Sequence, residues 1–193
     1  MAPHETANAP ETLATEEIYH GRIIDVSLYT VREGEHTYQR EVVHHPGGAS
    51  VVAVFDDQTI ALVRQYRHPT LRFVLELPAG RLEAPERPEE CAARELEEEI
   101  GVRAASLEKL TEFFTTPGFC EEKLWVYLAT ELTETEQKLE DDEVVEIVRV
   151  TFPRALEMIA SGEIEDAKTI IGIMLAAEHL DLKSSHTIDT TLE

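Results

Sequence analysis

Two periodicities run along the chain. Apolar residues recur with the short spacing of a sheet face from Gly21 to Val31, at Ile23, Ile24, Val26, Leu28 and Val31, and Tyr38–His45 reads as the partner strand. Pro46-Gly47-Gly48 is a turn signal. After it, two dense apolar runs, Ala49–Phe55 and Thr59–Gln65, flank Asp56-Asp57-Gln58 and predict a hairpin. Phe73–Leu77 predicts a short strand ending at Pro78-Ala79-Gly80, and Leu107–Thr115, Leu124–Thr130 and Val144–Phe152 predict three more. Helical spacing appears in the stretch after Pro88, in Pro153–Ala160 and in Glu165–Leu180, the last with Ile170, Ile171, Met174, Leu175 and Leu180 turned toward a core. Strands, helix, strands, helices is the order of a mixed α+β domain, not of alternating βα units. Residues 1–15, rich in Ala, Pro, Thr and Glu, read as a disordered N-terminal segment, 16–48 as N-terminal strands, 49–182 as the main domain and 183–193 as a polar tail.

Charge narrows the function. The 193 residues carry a formal net charge of −22. No basic patch is available to displace counterions from a nucleic-acid backbone, and anionic membrane surfaces would repel the chain. An acidic protein that handles a phosphate ester needs cations at its site. Cys91 and Cys120 do not form a disulfide framework. There is no signal-peptide pattern and no apolar run long enough to span a bilayer, so a cytoplasmic location is expected.

The candidate chemistry lies between Gly80 and Val102. At about 100° per residue, Ala92, Ala93, Leu96 and Ile100 share one apolar stripe, and Glu95, Glu98 and Glu99 share the stripe beside it. Pro88 suits the first helical turn and Gly101 the position just past the end, whereas Arg87 is a poor N-cap. Carboxylates three and four residues apart are neighbours on a helix and repel. They either stay in water or hold a divalent cation between them. Arg94, four residues before Glu98, can pair with it. Glutamate makes up 31 of the 193 residues, so a glutamate-rich helix alone would be read as a solvated face.

The whole window changes that reading. Gly80, five residues, Glu86, seven residues, Arg94-Glu95, the aliphatic Leu96, one residue, Glu98-Glu99, one residue, Gly101 and the aliphatic Val102 match all nine specified positions of the box of the Nudix hydrolases. This resemblance implies an αβα sandwich with a mixed sheet. It implies hydrolysis of a nucleoside diphosphate linked to another group, with two or three Mg²⁺ ions per site (Mn²⁺ substituting). Glu95 and Glu99 would be the principal metal ligands, with Glu98 also at the cluster in a catalytic role, joined by the backbone carbonyl of Ala79. Glu86 and Arg94 would support the box through hydrogen bonds and salt bridges.

Three flanking features resemble the ADP-ribose pyrophosphatase branch of that family: Val63-Arg64-Gln65-Tyr66-Arg67 followed by Leu75–Gly80, Pro117 fifteen residues after Val102, and the segment from Glu140 to Glu146. The branch implies that ADP-ribose is cut to AMP and ribose 5-phosphate. The alternatives are a pyrophosphatase for another nucleotide sugar such as ADP-glucose or GDP-mannose, or a module that senses ADP-ribose without cleaving it. Arg67 and Arg40 would contact the phosphates or the terminal ribose, or would form surface salt bridges instead. Glu76 would bond a ribose hydroxyl, or end a strand facing water. Adenine would stack on an aromatic ring, with Phe119, Tyr29 and Tyr38 as candidates, while Trp125 reads as core. The run Glu140-Asp141-Asp142-Glu143 is a solvated loop, or the mobile loop that brings the catalytic base. In the second case Glu143 is the further metal ligand, and the base is one of Glu140, Asp141 and Glu143. The extra N-terminal hairpin resembles the one that helps such enzymes form homodimers. No Ser-His-Asp or Cys-His arrangement is evident, and no histidine spacing suits a metal.

Overall fold

The computed structural model describes residues 9–139 and 144–181, which divide into a smaller unit of 9–47 with 114–123 and a larger unit of 48–113, 124–139 and 144–181. The acidic run 140–143 and the tail from residue 182 onward lie outside the described residues.

The larger unit is built on β4 (Gly48–Ala53), whose six residues are all buried. Strand side chains alternate between faces. Ala49, Val51 and Ala53 join one apolar cluster and Val52 and Val54 the other, so both faces of the strand are covered. The first cluster contains Cys91, Ala92, Leu96 and Ile100 of α1 (Pro88–Ile100). The second contains Phe152, Ala155 and Met158 of α2 (Phe152–Ser161) and Ile173, Ala176 and Ala177 of α3 (Ala167–His179). Helices on both sides of the sheets make the expected αβα sandwich. β4 pairs parallel with β9 (Lys123–Glu134) and antiparallel with β7 (Ala79–Arg81), in a mixed sheet of order β7-β4-β9-β8 that includes β8 (Val102–Phe114). A second, antiparallel sheet has the order β10-β5-β6, from β5 (Thr59–Arg67), β6 (Arg72–Glu76) and β10 (Val145–Thr151).

The expected hairpin of Ala49–Phe55 with Thr59–Gln65 forms at its turn and does not extend into a ladder. Its two strands lie in different sheets and meet at the turn, through the antiparallel bridge between Val54 and Ile60 and the bond from Phe55 N–H to Thr59 O at 2.9 Å. The turn at 56–58 folds the chain back for these few residues and then delivers it to the other sheet.

The smaller unit is an antiparallel sheet of β1 (Glu11–His20), β2 (Asp25–Glu33) and β3 (His36–His44). A two-stranded hairpin after a disordered segment was expected. Residues 11–15 instead belong to a third strand, exposed along its length. Its backbone pairs with β2 despite a polar composition, and Glu11 bonds Arg32 across the ladder.

Local signals explain the ends of α1. Glu90 reaches back to accept the Arg87 N–H at 2.9 Å, which compensates for the weak N-cap. Gly101 closes the helix at φ 63°, the left-handed region that favours glycine. The segment after β9 secures the same end: Lys138 N–H donates to Glu98 O at 3.0 Å, Gln137 Nε2 to Glu99 O at 2.6 Å and Thr135 N–H to Gly101 O at 2.7 Å. Carbonyls that a helix end leaves unpaired are thereby satisfied.

Candidate active site

Glu95 and Glu99 are not on a wet rim. They are 6% and 3% exposed, side by side with the apolar stripe that buries α1. The Glu95 carboxylate lies against the backbone of Gly80, where a Cβ at that position would come within 1.6 Å of Glu95 Oε1. Glu99 Oε2 accepts the Ala79 N–H at 2.9 Å. The short strand β7 and helix α1 are thus joined through the carboxylates themselves.

Arg94 sits among three of the box acids. Its Nε and Nη2 donate to Glu86 at 2.9 and 3.1 Å, and its Nη1 donates to Glu95 at 2.6 Å and Glu98 at 2.8 Å. Nη2 also donates to the carbonyl of Arg81 at 3.1 Å. The Arg94 pKa is pushed up, first by its bond to Glu86. The Glu86 carboxyl is held below its ordinary value, chiefly by Arg94 and against a smaller burial penalty. Glu97 faces the other way, paired with Arg103 and Lys138, and its carboxyl is lowered to about 2 by the hydrogen bonds from those two cations.

The resemblance gave Glu95, Glu98 and Glu99 as ligands to a divalent cation. Among the described residues, no group of three or more His, Cys, Asp or Glu stands where it could hold a metal ion. Arg94 bonds Glu95 and Glu98 through a single nitrogen, and Glu99 is turned to the Ala79 amide. The donor set still suits a hard cation. It is all oxygen, two of its three carboxylates are buried, and the glycine at residue 80 leaves room for one of them.

Comparison with known proteins bears directly on this geometry. Residues 44–171 match the NUDIX domain family. The chain belongs to the Nudix family. It is 43% identical over 178 residues to an ADP-ribose pyrophosphatase of Bacillus subtilis (strain 168), covering 91% of this chain and 94% of that one. It is 38% identical over 166 residues to a methanol dehydrogenase activator of Bacillus methanolicus, covering 84% and 90%. The solved structure of an ADP compounds hydrolase superposes with a TM-score of 0.79 at 21% identity, covering 93% of this chain and 98% of that one. The last likeness is one of fold.

Beyond the Nudix box, the larger unit pairs Arg67 with Glu76. Glu76 is 3% exposed, so it does not end β6 in water. Arg67 grips it side-on, Nε to Oε1 at 2.7 Å and Nη2 to Oε2 at 2.9 Å, and Lys168 donates to Oε2 as well. Burial alone would raise the Glu76 pKa, but the two cations more than reverse this and hold it below its ordinary value. Lys168, 92 residues away in sequence, was not singled out, because nothing local marks it.

In the smaller unit, Val43 N–H donates to Phe119 O at 2.7 Å and Glu121 N–H to Val43 O at 3.1 Å. These bonds tie the Pro117 segment to β3. Phe119 is 57% exposed and, with Arg40, Phe114 and Pro117, borders a cavity of about 460 Å³. The Arg40 guanidinium lies 4.1 Å from the centre of the Tyr38 ring, and is not in a salt bridge among the described ion pairs. Tyr29 and His44 make a tilted ring contact. Trp125 packs against the α1 cluster, as expected of a core residue. The fold also makes a serine–histidine–acid string where none was expected: Ser27 Oγ lies 3.0 Å from His44 Nε2, and His44 Nδ1 lies 3.1 Å from Glu121. Ser27 is buried, which suits a structural tie better than a nucleophile. Three of the expected loop residues, Glu140, Asp141 and Glu143, lie outside the described residues. No helix among the described residues is long and apolar enough to cross a membrane.

Proposed function

We propose that this Nudix hydrolase is an ADP-ribose pyrophosphatase that cuts the diphosphate of its substrate to give AMP and ribose 5-phosphate. One observation carries the reading: Glu95 and Glu99, both buried, are locked onto the Gly80 and Ala79 backbone beside Glu98 and its Arg94 partner. Acids buried and braced to that degree on a catalytic-box helix are an organised site and not a solvated face.

Glu95, Glu98, Glu99 and the carbonyl of Ala79 would hold Mg²⁺, or Mn²⁺ in its place. A divalent ion bound there supplies charge screening for the diphosphate and a lowered pKa for the attacking water. The chain's own residues do the rest. Arg94 keeps Glu98 oriented and offsets repulsion among the acids. Within the larger unit, Arg67 receives the anionic portion of the substrate and Glu76 fixes Arg67.

Glu140, Asp141 and Glu143 are the candidate proton acceptors, with Glu143 also a metal ligand. Support comes from the residues on either side of the run. Lys138 bonds the carbonyl of Glu98, and Val145 pairs with Gln65, two residues from Arg67. We further propose that the enzyme is a cytoplasmic homodimer and that its N-terminal sheet serves dimerisation. The relative from Bacillus subtilis named as an ADP-ribose pyrophosphatase supports this substrate over other nucleotide sugars.

The test is turnover, with product identification, on ADP-ribose, ADP-glucose and GDP-mannose. ADP-ribose should give the highest kcat/KM. Preference for another of the three would move the assignment to that sugar, and tight binding of intact ADP-ribose would make the protein a sensor.

A further inference from the structure

Lys168 has no part in the box chemistry, yet it is the least exposed cation in a charged string at the opening of α3. Its side chain is only 12% exposed, and its ammonium donates both to Glu76 and, at 3.0 Å, to Asp166. Asp166 is committed to the helix start, accepting the Thr169 N–H at 3.0 Å and the Thr169 hydroxyl at 2.6 Å. Thr169 in turn accepts the Leu77 N–H at 2.8 Å, next to Glu76 in sequence. The α3 end and the β6 end are therefore one hydrogen-bonded assembly, and Lys168 is stationed on it.

Across Glu76 stands Arg67. Its side-on grip occupies Nε–H and one hydrogen of Nη2. Among the described residues, three of its five N–H donors, both on Nη1 and the second on Nη2, are not used in these bonds. That partly exposed side chain and Lys168 border a cavity of about 450 Å³.

We propose that Lys168 is a positioning residue for Arg67: by holding the buried Glu76 carboxylate from the α3 side, it fixes the fork so that the free edge of Arg67 meets a phosphate oxygen of the substrate. This rests on the reading above that Arg67 binds the diphosphate portion. A carboxylate taken out of water needs its lone pairs satisfied. With Lys168 present, Glu76 is neutralised from behind, and Arg67 can share its charge with an incoming anion. Without Lys168, Arg67 becomes the one cation paired with Glu76 among the described residues and is drawn inward. The loss then falls on substrate binding and not on the chemical step.

The experiment is steady-state kinetics on ADP-ribose with the full chain as wild type, Lys168→Met, Lys168→Arg, Arg67→Ala and the Lys168→Met/Arg67→Ala double variant. Thermal melts verify folding, and Lys168→Gln replaces Lys168→Met if the latter shows no cooperative unfolding. Lys168→Met should raise KM about tenfold, as for loss of one bond to a charged group, with kcat within about threefold of wild type. Lys168→Arg should restore most of the loss. The double variant should have the KM of Arg67→Ala alone, since a residue acting through Arg67 has nothing left to act on. An unchanged KM in Lys168→Met, or effects of the two single variants that multiply in the double, would overturn the proposal. An Arg67→Ala enzyme with wild-type KM would remove Arg67 from substrate binding, and the role of Lys168 with it. A wild-type enzyme inert on every nucleotide sugar would overturn the functional reading first.

Discussion

Glu95 fills the space that a side chain at residue 80 would take. A Cβ built on Gly80 falls 1.6 Å from Glu95 Oε1 and 2.1 Å from Glu95 Cδ. The glycine is needed here for room and not for an unusual backbone angle. Gly80→Ala should push the Glu95 carboxylate off the β7 backbone and away from Arg94. The overpacking should cost about 1–3 kcal/mol of stability, read by urea unfolding. Activity should fall further than stability, by about a hundredfold or more in kcat/KM at a temperature where the variant is folded. A folded Gly80→Ala enzyme with wild-type turnover would show that the Glu95–Gly80 contact has no catalytic role.

Glu76 should make stability depend on pH. Arg67 and Lys168 outweigh its burial and depress its pKa in the folded protein. The sign follows from linkage. Its contribution is fully present above the unfolded glutamate pKa of about 4.3 and is lost as pH falls through the lower folded value. Glu76→Gln leaves two cations facing a neutral amide and should lose about 3–5 kcal/mol at pH 7. The gap between wild type and variant should stay constant above about pH 5 and close below pH 4. Denaturant unfolding across that range measures it, and a gap that widened in acid would contradict the assigned pairing.

Cys91 reports on the packing under the box. Its thiol is buried, donates toward the carbonyls of Gly80 and Arg81 at 3.5 and 3.6 Å, and is raised to about 12, first by burial and then by Glu95 and Glu86. The thiolate is the reactive form. Native protein at pH 8 should therefore leave Cys91 unlabelled by iodoacetamide, and peptide mapping should find it labelled only after unfolding. Rapid native labelling would mean that the contact between α1 and β7 opens readily.

Helix α1 was legible in the sequence because its signals are local. Its apolar stripe repeats every three or four residues, Pro88 opens it and Gly101 closes it, and the acids beside the stripe lie within five residues of one another. The box residues could therefore be placed together before any coordinates. The β4–β5 turn misled because Asp56-Asp57-Gln58 looks the same whether the chain returns to its own sheet or crosses to another. Strand β1 was missed because its ladder with β2, and not burial, holds it. The partners of Glu76 were invisible for a different reason. A carboxylate at the end of a strand takes its charge environment from residues 9 and 92 positions away, and no periodicity connects them. The pairing of Arg94 with Glu98 was readable as an i,i+4 possibility, but its bonds to Glu86 and Glu95 through the same side chain were not.

The most direct test of the central claim is product analysis of ADP-ribose hydrolysis in H₂¹⁸O, with and without Mg²⁺, by wild type and by Glu99→Gln. Wild type with Mg²⁺ should give AMP and ribose 5-phosphate, one of them carrying a single ¹⁸O. Chelation should abolish the reaction, and Glu99→Gln should lose about a thousandfold or more while keeping a cooperative unfolding transition. ADP-ribose left whole by the Mg²⁺-loaded wild type, or full turnover by Glu99→Gln, would contradict the assignment of these buried acids to catalysis.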